Sequence, residues 1–198
     1  GVLFFYFYFK NGQASMRPFF EFLPFIFAVF VPAITMKLLA EERSSGSFEL
    51  LTTMPVTSAD IIGGKFFAAF AVTALMLAPT LLYIITVVLT GTIDPGPVLG
   101  GYLGALFLIG AYTAVGLLCS SITSNQVVAF LLAFTACIFL ALLDILVQFV
   151  PGIIANIIEL AGARYHFMNF ARGIMDSRDV VYFLSVIALC ALGTRKII

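Results

Sequence analysis

Long apolar runs are the feature that most constrains the fold of this chain. Six of them alternate with short polar segments: Gly1–Phe9, Phe22–Met36, Ile61–Leu89, Val98–Cys119, Val127–Val150 and Val180–Gly193. A helix needs about 20 apolar residues to cross a bilayer, and three of the inner runs reach that length. No run shows the alternating hydrophobicity, over about ten residues, of an outer-membrane β-strand. The sequence therefore predicts an all-α, polytopic transmembrane bundle of six helices.

The two terminal runs are shorter than a spanning helix. Gly1–Phe9 begins inside an apolar stretch, so we expect a first transmembrane helix that is truncated at its start. Val180–Gly193 is also short, and we expect this last span to lack some of its residues as well. All six runs are expected to form one transmembrane domain over residues 1–198.

Composition and charge exclude several classes of function. Hydrophobic residues make up 62% of the chain and charged residues 10%, whereas a soluble domain carries about 25% charged residues. Lys and Arg together equal Asp and Glu, at ten each, which leaves no excess of basic charge for nucleic acid. The three cysteines, Cys119, Cys137 and Cys190, lie inside apolar runs and are expected to pack as small hydrophobic residues. We therefore expect membrane lipids, and no nucleic acid, among the partners.

Motifs for chemistry are few. Gly63-Gly64-Lys65 is similar to the end of a phosphate-binding loop, but Ala59 and Phe66 stand where that loop needs Gly and Ser or Thr. The sequence has no His-Glu-x-x-His or Cys-x-x-Cys pair that would predict a metal site. We therefore expect no catalytic residue, no metal and no cofactor in this chain.

Two acids near or within the spans could be functional, Glu21 at the start of the second run and Asp144. Asp144 lies inside the fifth run, where a charged group costs about 2.5–3.5 kcal/mol on insertion scales. It could be a proton or substrate site, or it could be solvated near the interface or hydrogen-bonded across a helix contact. His166 stands between Tyr165 and Phe167, and this setting predicts a residue of the interfacial aromatic belt.

Glycines and prolines predict close contacts and kinks. Gly96, Gly100 and Gly104 recur at a spacing of four, which lets two helix backbones approach closely in lipid. This stripe could form a subunit interface or ordinary packing within the subunit. Prolines inside a helix remove backbone hydrogen bonds, so kinks are predicted at Pro24, Pro32 and Pro79.

The distribution of Lys and Arg does not orient the chain. Five basic residues would fall on each side of the membrane, so the positive-inside rule gives no preference. The two sets are Lys37, Arg43, Lys65, Arg195 and Lys196 on one side, and Lys10, Arg17, Arg164, Arg172 and Arg178 on the other.

The charged segment between the second and third runs is the most informative. It reads as a helix end, a turn at Gly46, a short amphipathic helix that ends at Pro55, and a new helix capped by Thr57 to Asp60. A short helix with an apolar face suits a partner's groove, or it could lie flat on the lipid. The apolar face consists of Phe48, Leu50, Leu51 and Met54, beside Glu49.

This segment carries a family resemblance. Glu41–Val56, read as Glu-Glu-Arg-x-x-Gly-Ser-x-Glu-Leu-Leu-x-x-x-Pro-Val, resembles the signature of type-2 ABC exporter permeases, in particular the bacterial gliding-motility group. Gly12–Phe20, Ser121–Phe130 and His166–Phe183 are also similar to blocks of this family. The likeness covers nearly the whole chain, and Ser47, where Thr is commoner, is a conservative departure.

The resemblance implies a permease subunit of an ATP-driven exporter in the bacterial cytoplasmic membrane. Its partners would be an ABC ATPase subunit, which binds ATP and Mg, and a second permease copy or a paralogous permease. Segment 41–60 would be cytoplasmic, with its short helix as the coupling helix, and region 151–177 would contain a re-entrant extracytoplasmic hairpin. The implied ATPase-coupling residues are Glu41, Glu42, Arg43, Gly46, Phe48, Glu49, Leu50, Leu51 and Pro55. The residues of the re-entrant block are His166, Phe167, Arg172, Gly173, Asp176, Arg178 and Asp179.

Two other functions remain open from the sequence. A mechanotransmission or scaffold subunit would use the same coupling helix without moving a substrate. An ion-driven secondary transporter would use Asp144 to carry the coupling ion and would need no ATPase.

Overall fold

The computed structural model describes residues 17–47, 57–90, 95–147 and 159–197, and these ranges consist of helices joined by short turns, without a β-strand. A 3₁₀ turn, Ala78–Thr80, separates the third and fourth helices. The all-α prediction is therefore confirmed. The α-helices are α1 (Arg17–Thr35), α2 (Lys37–Ser45), α3 (Ser58–Leu75), α4 (Leu81–Thr90), α5 (Pro95–Ile122), α6 (Gln126–Leu146), α7 (Ala163–Ala171) and α8 (Ser177–Ile197).

Five helical stretches in these ranges are long and apolar enough to cross a membrane. They are Phe19–Ser45, Ser58–Ile85, Pro95–Ile122, Gln126–Ile145 and Ser177–Ile197. The predicted first span, Gly1–Phe9, lies outside the described residues. The prediction of a short last span is wrong, because α8 has 21 residues and is about 31 Å long. Its helix continues into polar turns at both ends, which the apolar run did not include.

Prolines mark two interruptions of the long spans. α1 contains Pro24 and Pro32 and ends at Thr35, and the chain turns at Met36 before α2 begins. In the next span, α-helical geometry is lost between α3 and α4, and Pro79 lies in the 3₁₀ turn there. A break is expected at this point because proline has no N–H to donate to the preceding turn.

Helix α5 is the centre of the bundle, and α1, α3, α6, α7 and α8 pack around it. In its most apolar stretch 78% of the residues are buried, against 17% for the span that begins with α3 and 11% for α8. The span that begins with α3 and helix α8 thus leave most of their residues outside the core, as expected of surfaces that face lipid.

The bundle has two ends with different neighbours. At one, which we name the α2 end, α2 meets the start of α3 and the last turns of α5 and α8. At the other, named the α7 end, the short helix α7 packs on α1, α5, α6 and α8. Most of the charged residues lie at these two ends.

Gly100 and Gly104 of the predicted glycine stripe are in close contact with α7. A Cβ atom on Gly100 would overlap the carbonyl oxygen of Phe170, and one on Gly104 would lie 2.6 Å from the Phe170 Cβ. Gly96 is exposed, and its carbonyl carbon lies against Gly173, whose φ of 83° places it in the left-handed region. This part of the glycine stripe therefore packs against a helix of the same subunit.

Candidate functional site

The break between α1 and α2 is bridged by a serine from the central helix. The Ser120 hydroxyl accepts hydrogen bonds from the backbone N–H groups of Leu39 (3.1 Å) and Ala40 (3.0 Å), and it donates to the carbonyl of Met36 (3.0 Å). A hydroxyl has one donor and two acceptor positions, so all three are used. Met36 cannot cap α2 with its own side chain, and Ser120 takes that role from 80 residues away. The elbow between α1 and α2 is thus fixed to α5.

An ion pair joins α2 to α3 beside this elbow. The Lys65 ammonium lies 2.5 Å from Oε1 of Glu42 and donates a second hydrogen bond to the carbonyl of Leu38 at 2.6 Å. The side chains are 18% and 27% exposed, so solvent screens the pair only in part. The second carboxylate oxygen of Glu42 is buried, without a hydrogen-bond partner among the described residues. Glu42 therefore has its main partner inside the subunit, within the segment that resembles the coupling signature.

An apolar cluster lies beneath these polar contacts. Leu39 of α2, Ile62 of α3 and Leu117 of α5 are buried against one another, and Leu38 and Phe66 pack on them. Movement of α2 would therefore press on α3 and α5 through side chains in contact. Ser120, the Glu42–Lys65 pair and this cluster are named the α2 joint below.

The chain on both sides of the predicted coupling helix has the expected local structure. Gly46 ends α2 with φ of 73°, a conformation that favours glycine, which confirms the predicted turn. Thr57 and Asp60 form a capping box at the start of α3, as the sequence predicts. Arg43 donates a hydrogen bond to the carbonyl of Ile197 at 3.1 Å and so connects α2 to the end of α8.

The structure places the other predicted coupling residues as follows. Glu41 is exposed on α2. Phe48, Glu49, Leu50, Leu51 and Pro55 lie outside the described residues, so their contact with an ATPase remains a prediction.

Histidine 166 lies in a buried polar cluster at the α7 end. Its Nδ1 is 2.6 Å from Oδ1 of Asp179, its Nε2 is 3.0 Å from the carbonyl of Leu160, and its ring stacks on Tyr182 with centroids 4.1 Å apart. Asn169 also donates to Oδ1 of Asp179 at 3.3 Å. The expectation of an aromatic-belt residue does not describe this environment, because both His166 and Asp179 are almost fully buried. The pair instead fastens α7 to the first turn of α8.

A second ion pair involves Asp144. Its Oδ2 lies 2.8 Å from Nη1 of Arg164, whose guanidinium also sits over the Phe25 ring at 5.7 Å from the centroid. Asp144 thus has its partner across the α6–α7 contact, which is the alternative of a hydrogen bond across a helix contact.

The remaining residues of the re-entrant block are divided between core and surface. Phe167 is buried, in contact with the Phe20 ring of α1. Arg172, Asp176 and Arg178 are exposed in and around the turn that connects α7 with α8. The structure therefore brings His166, Phe167 and Asp179 together and leaves these three charged residues at the surface.

Sequence reasoning missed Ser120 and Asn169. Both are short polar side chains whose partners lie on other elements. For Ser120 a signal did exist, because Ser120 and Ser121 end an otherwise apolar run and so mark the position where polar contacts resume. Within the described residues no group of three or more His, Cys, Asp and Glu side chains could hold a metal ion.

Comparison with known proteins gives one match. A family model described as "ABC-2 family transporter protein" matches residues 4–189, which is nearly the whole chain. No curated protein and no solved structure matches at a significant level.

Proposed function

The chain belongs to the ABC-2 transporter family, and from this premise we propose that it is the permease subunit of an ATP-driven exporter. A member of this family is a membrane component that works with an ABC ATPase subunit. In the proposal, ATP and Mg bind to that ATPase, segment 41–60 contacts it, and the α2 joint passes its movement to the transmembrane helices.

The observation that carries the proposal is the position of Lys65. One ammonium group holds the side chain of Glu42 and the backbone of Leu38, both on α2, from the second turn of α3. The two helices that enter and leave the segment resembling the coupling signature are therefore tied together. A push on that segment would move α2 and α3 as a pair instead of separating them.

Membrane orientation follows from the same proposal. With the α2 end at the cytoplasmic face, the α7 end with its short helix lies at the extracytoplasmic face, in the bacterial cytoplasmic membrane. Two permeases, either identical copies or paralogues, would stand side by side, each above one ATPase. A cargo would move at the interface between the two permeases. Closure of the ATPases would supply the difference in stability between the two conformations of the permease pair.

Replacement of Lys65 tests this function. Lys65→Met keeps the apolar stem but removes the ammonium group, so α2 and α3 lose their polar tie while the apolar cluster remains. We expect binding of the ATPase to be retained and the amount of cargo moved per ATP hydrolysed to fall several-fold. The measurement needs the permease and its ATPase in proteoliposomes, with substrate identified by mass spectrometry of the purified complex.

Lys37→Met is the matched control. Lys37 is an exposed lysine at the start of α2 and forms none of the three ion pairs found in the described part of the chain. We expect it to leave the ratio of transport to hydrolysis unchanged. The same ratio of transport to ATP hydrolysis for Lys65→Met, Lys37→Met and the parent protein would contradict the proposed role of the α2 joint. ATP hydrolysis that no cargo stimulates, with no transport, would favour a mechanotransmission subunit.

A further inference from the structure

An apolar groove runs along the outside of the bundle between α3 and α8. Its floor is α5, and it consists of two adjoining cavities of about 330 and 250 Å³. Both cavities are lined by Phe66, Phe67 and Ile187, so they adjoin each other along the same face of the bundle. Small residues such as Gly110 and Ala191 line it and leave the space open.

The dimensions of the groove suit a lipid chain. Its floor extends along α5 from Leu103 to Leu117, which is about 21 Å at the rise of an α-helix. One leaflet contributes half of a hydrocarbon core of about 30 Å. The groove is therefore long enough to accommodate an acyl chain over the full depth of a leaflet.

A basic side chain stands at one end of this apolar surface. Leu184, Ile187, Ala191 and Arg195 follow one another at spacings of three and four, so they share one face of α8. Arg195 lies in the last turn of that helix, at the α2 end of the groove, and Lys196 is its neighbour. Along this face of α8, aliphatic side chains are thus followed by a guanidinium group, just as the acyl chain of a lipid is followed by its headgroup.

Two acidic groups near this end, Asp60 and Glu42, have other partners. Asp60, next to the groove residue Ala59, accepts hydrogen bonds from the backbone and hydroxyl of Thr57. Glu42 pairs with Lys65. None of the ion pairs between described residues involves Arg195. Its charge is therefore available to an anion at the membrane surface.

We propose that this groove binds an anionic glycerophospholipid, with its phosphate on Arg195 and one acyl chain between α3 and α8. The combination of an apolar groove of leaflet depth with a cation at one end favours this occupant over an uncharged apolar segment, which would leave the guanidinium without a counter-ion. The inference goes beyond the proposed function and does not depend on transport or on which side of the membrane the α2 end faces.

Quenching of tryptophan fluorescence by brominated lipids tests the site. The chain contains no tryptophan, so Phe67→Trp places a single probe in the groove. Leu132→Trp, on the exposed surface of α6, reports ordinary lipid contact. The quantity measured is the ratio of the apparent affinities of brominated phosphatidylglycerol and brominated phosphatidylcholine, in which differences in probe depth cancel.

We expect a ratio of about fivefold at the groove probe, from the contribution of one basic side chain near an anionic lipid, and a ratio near one at the α6 probe. Arg195→Gln should bring the groove ratio close to one. Lys196→Gln removes the same charge one residue away, outside the groove lining, and should retain most of the preference. Similar ratios at both probes would overturn the proposal. Protection of the groove probe from both lipids would also overturn it, because a protein segment or a second copy would then cover the groove.

Discussion

Replacement of Ser120 by alanine gives the sharpest test of the α2 joint. The hydroxyl serves two backbone donors and one backbone acceptor, and Leu39, Ala40 and Ser120 are all fully buried. The lower limit for the loss of unfolding free energy is that of an ordinary N-cap, about 0.5–2 kcal/mol. The upper limit is the cost of two buried N–H groups without partners, about 1–3 kcal/mol each. We expect Ser120→Ala to lower the free energy of unfolding by about 2–4 kcal/mol.

The neighbouring serine provides a matched control for this prediction. Ser121 is buried too, but its hydroxyl donates only to the carbonyl of Leu118 in its own helix, at 2.6 Å. A back-bond of this kind adds little to helix stability, so Ser121→Ala should change the free energy of unfolding by less than about 0.5 kcal/mol.

Two assays measure the effect of Ser120→Ala. Cys119 and Cys137 are buried thiols, so a thiol-reactive dye reports unfolding of the bundle in detergent. In proteoliposomes with the ATPase, we expect less transport per ATP hydrolysed for Ser120→Ala than for Ser121→Ala. If Ser120→Ala and Ser121→Ala have the same free energy of unfolding as the parent protein, Ser120 does not hold the elbow between α1 and α2, and the reasoning is refuted.

The α7 end gives two further predictions. Gly104→Ala should destabilise the bundle by about 1–3 kcal/mol through overpacking against Phe170, whereas Gly64→Ala, with open space around it, should be neutral or stabilising in the same dye assay. Asp179→Asn should retain the contact with His166, because with Nε2–H donated to the Leu160 carbonyl an asparagine amide can donate to Nδ1, provided that Asn169 turns its own amide oxygen toward the new NH₂ group. Asp179→Ala removes the partner of both His166 and Asn169 in a buried site and should cost about 1–3 kcal/mol for each group left without a hydrogen bond, and equal stability of the two Asp179 variants would contradict the assignment.

Local patterns predicted much of the fold. Apolar runs located the five spans in the described residues, and the capping box at Thr57 and the turn at Gly46 followed from side chains within a few positions. Boundaries were less accurate where polar residues continue a helix. The last turn of α8 contains Arg195 and Lys196, so an apolar run ends before the helix does.

The contacts that define the two ends of the bundle could not be predicted in this way. Ser120 reaches residues 80 positions away, and the Glu42–Lys65 pair spans 23 positions. His166 and Asp179 lie on separate helices, and aromatic neighbours are common to an interfacial belt and to a packed core. Only the packing of whole helices decides whether a polar side chain among aromatic residues lies in the interfacial belt or in the packed core.

The contrast between α3 and α5 indicates how the α2 joint could act. Helix α5 is enclosed by the other helices, so its displacement would disrupt the core of the subunit. Most residues of the span that begins with α3 are not buried. In a membrane, the exchange of apolar helix contacts for lipid contacts carries little hydrophobic cost, so α3 can shift more easily than α5. Ser120 holds the elbow to the fixed helix, while Lys65 links the next turn of α2 to the mobile one. Under the proposed function, a push on segment 41–60 would pivot α2 and α3 about Ser120, and the groove between α3 and α8 would change its width.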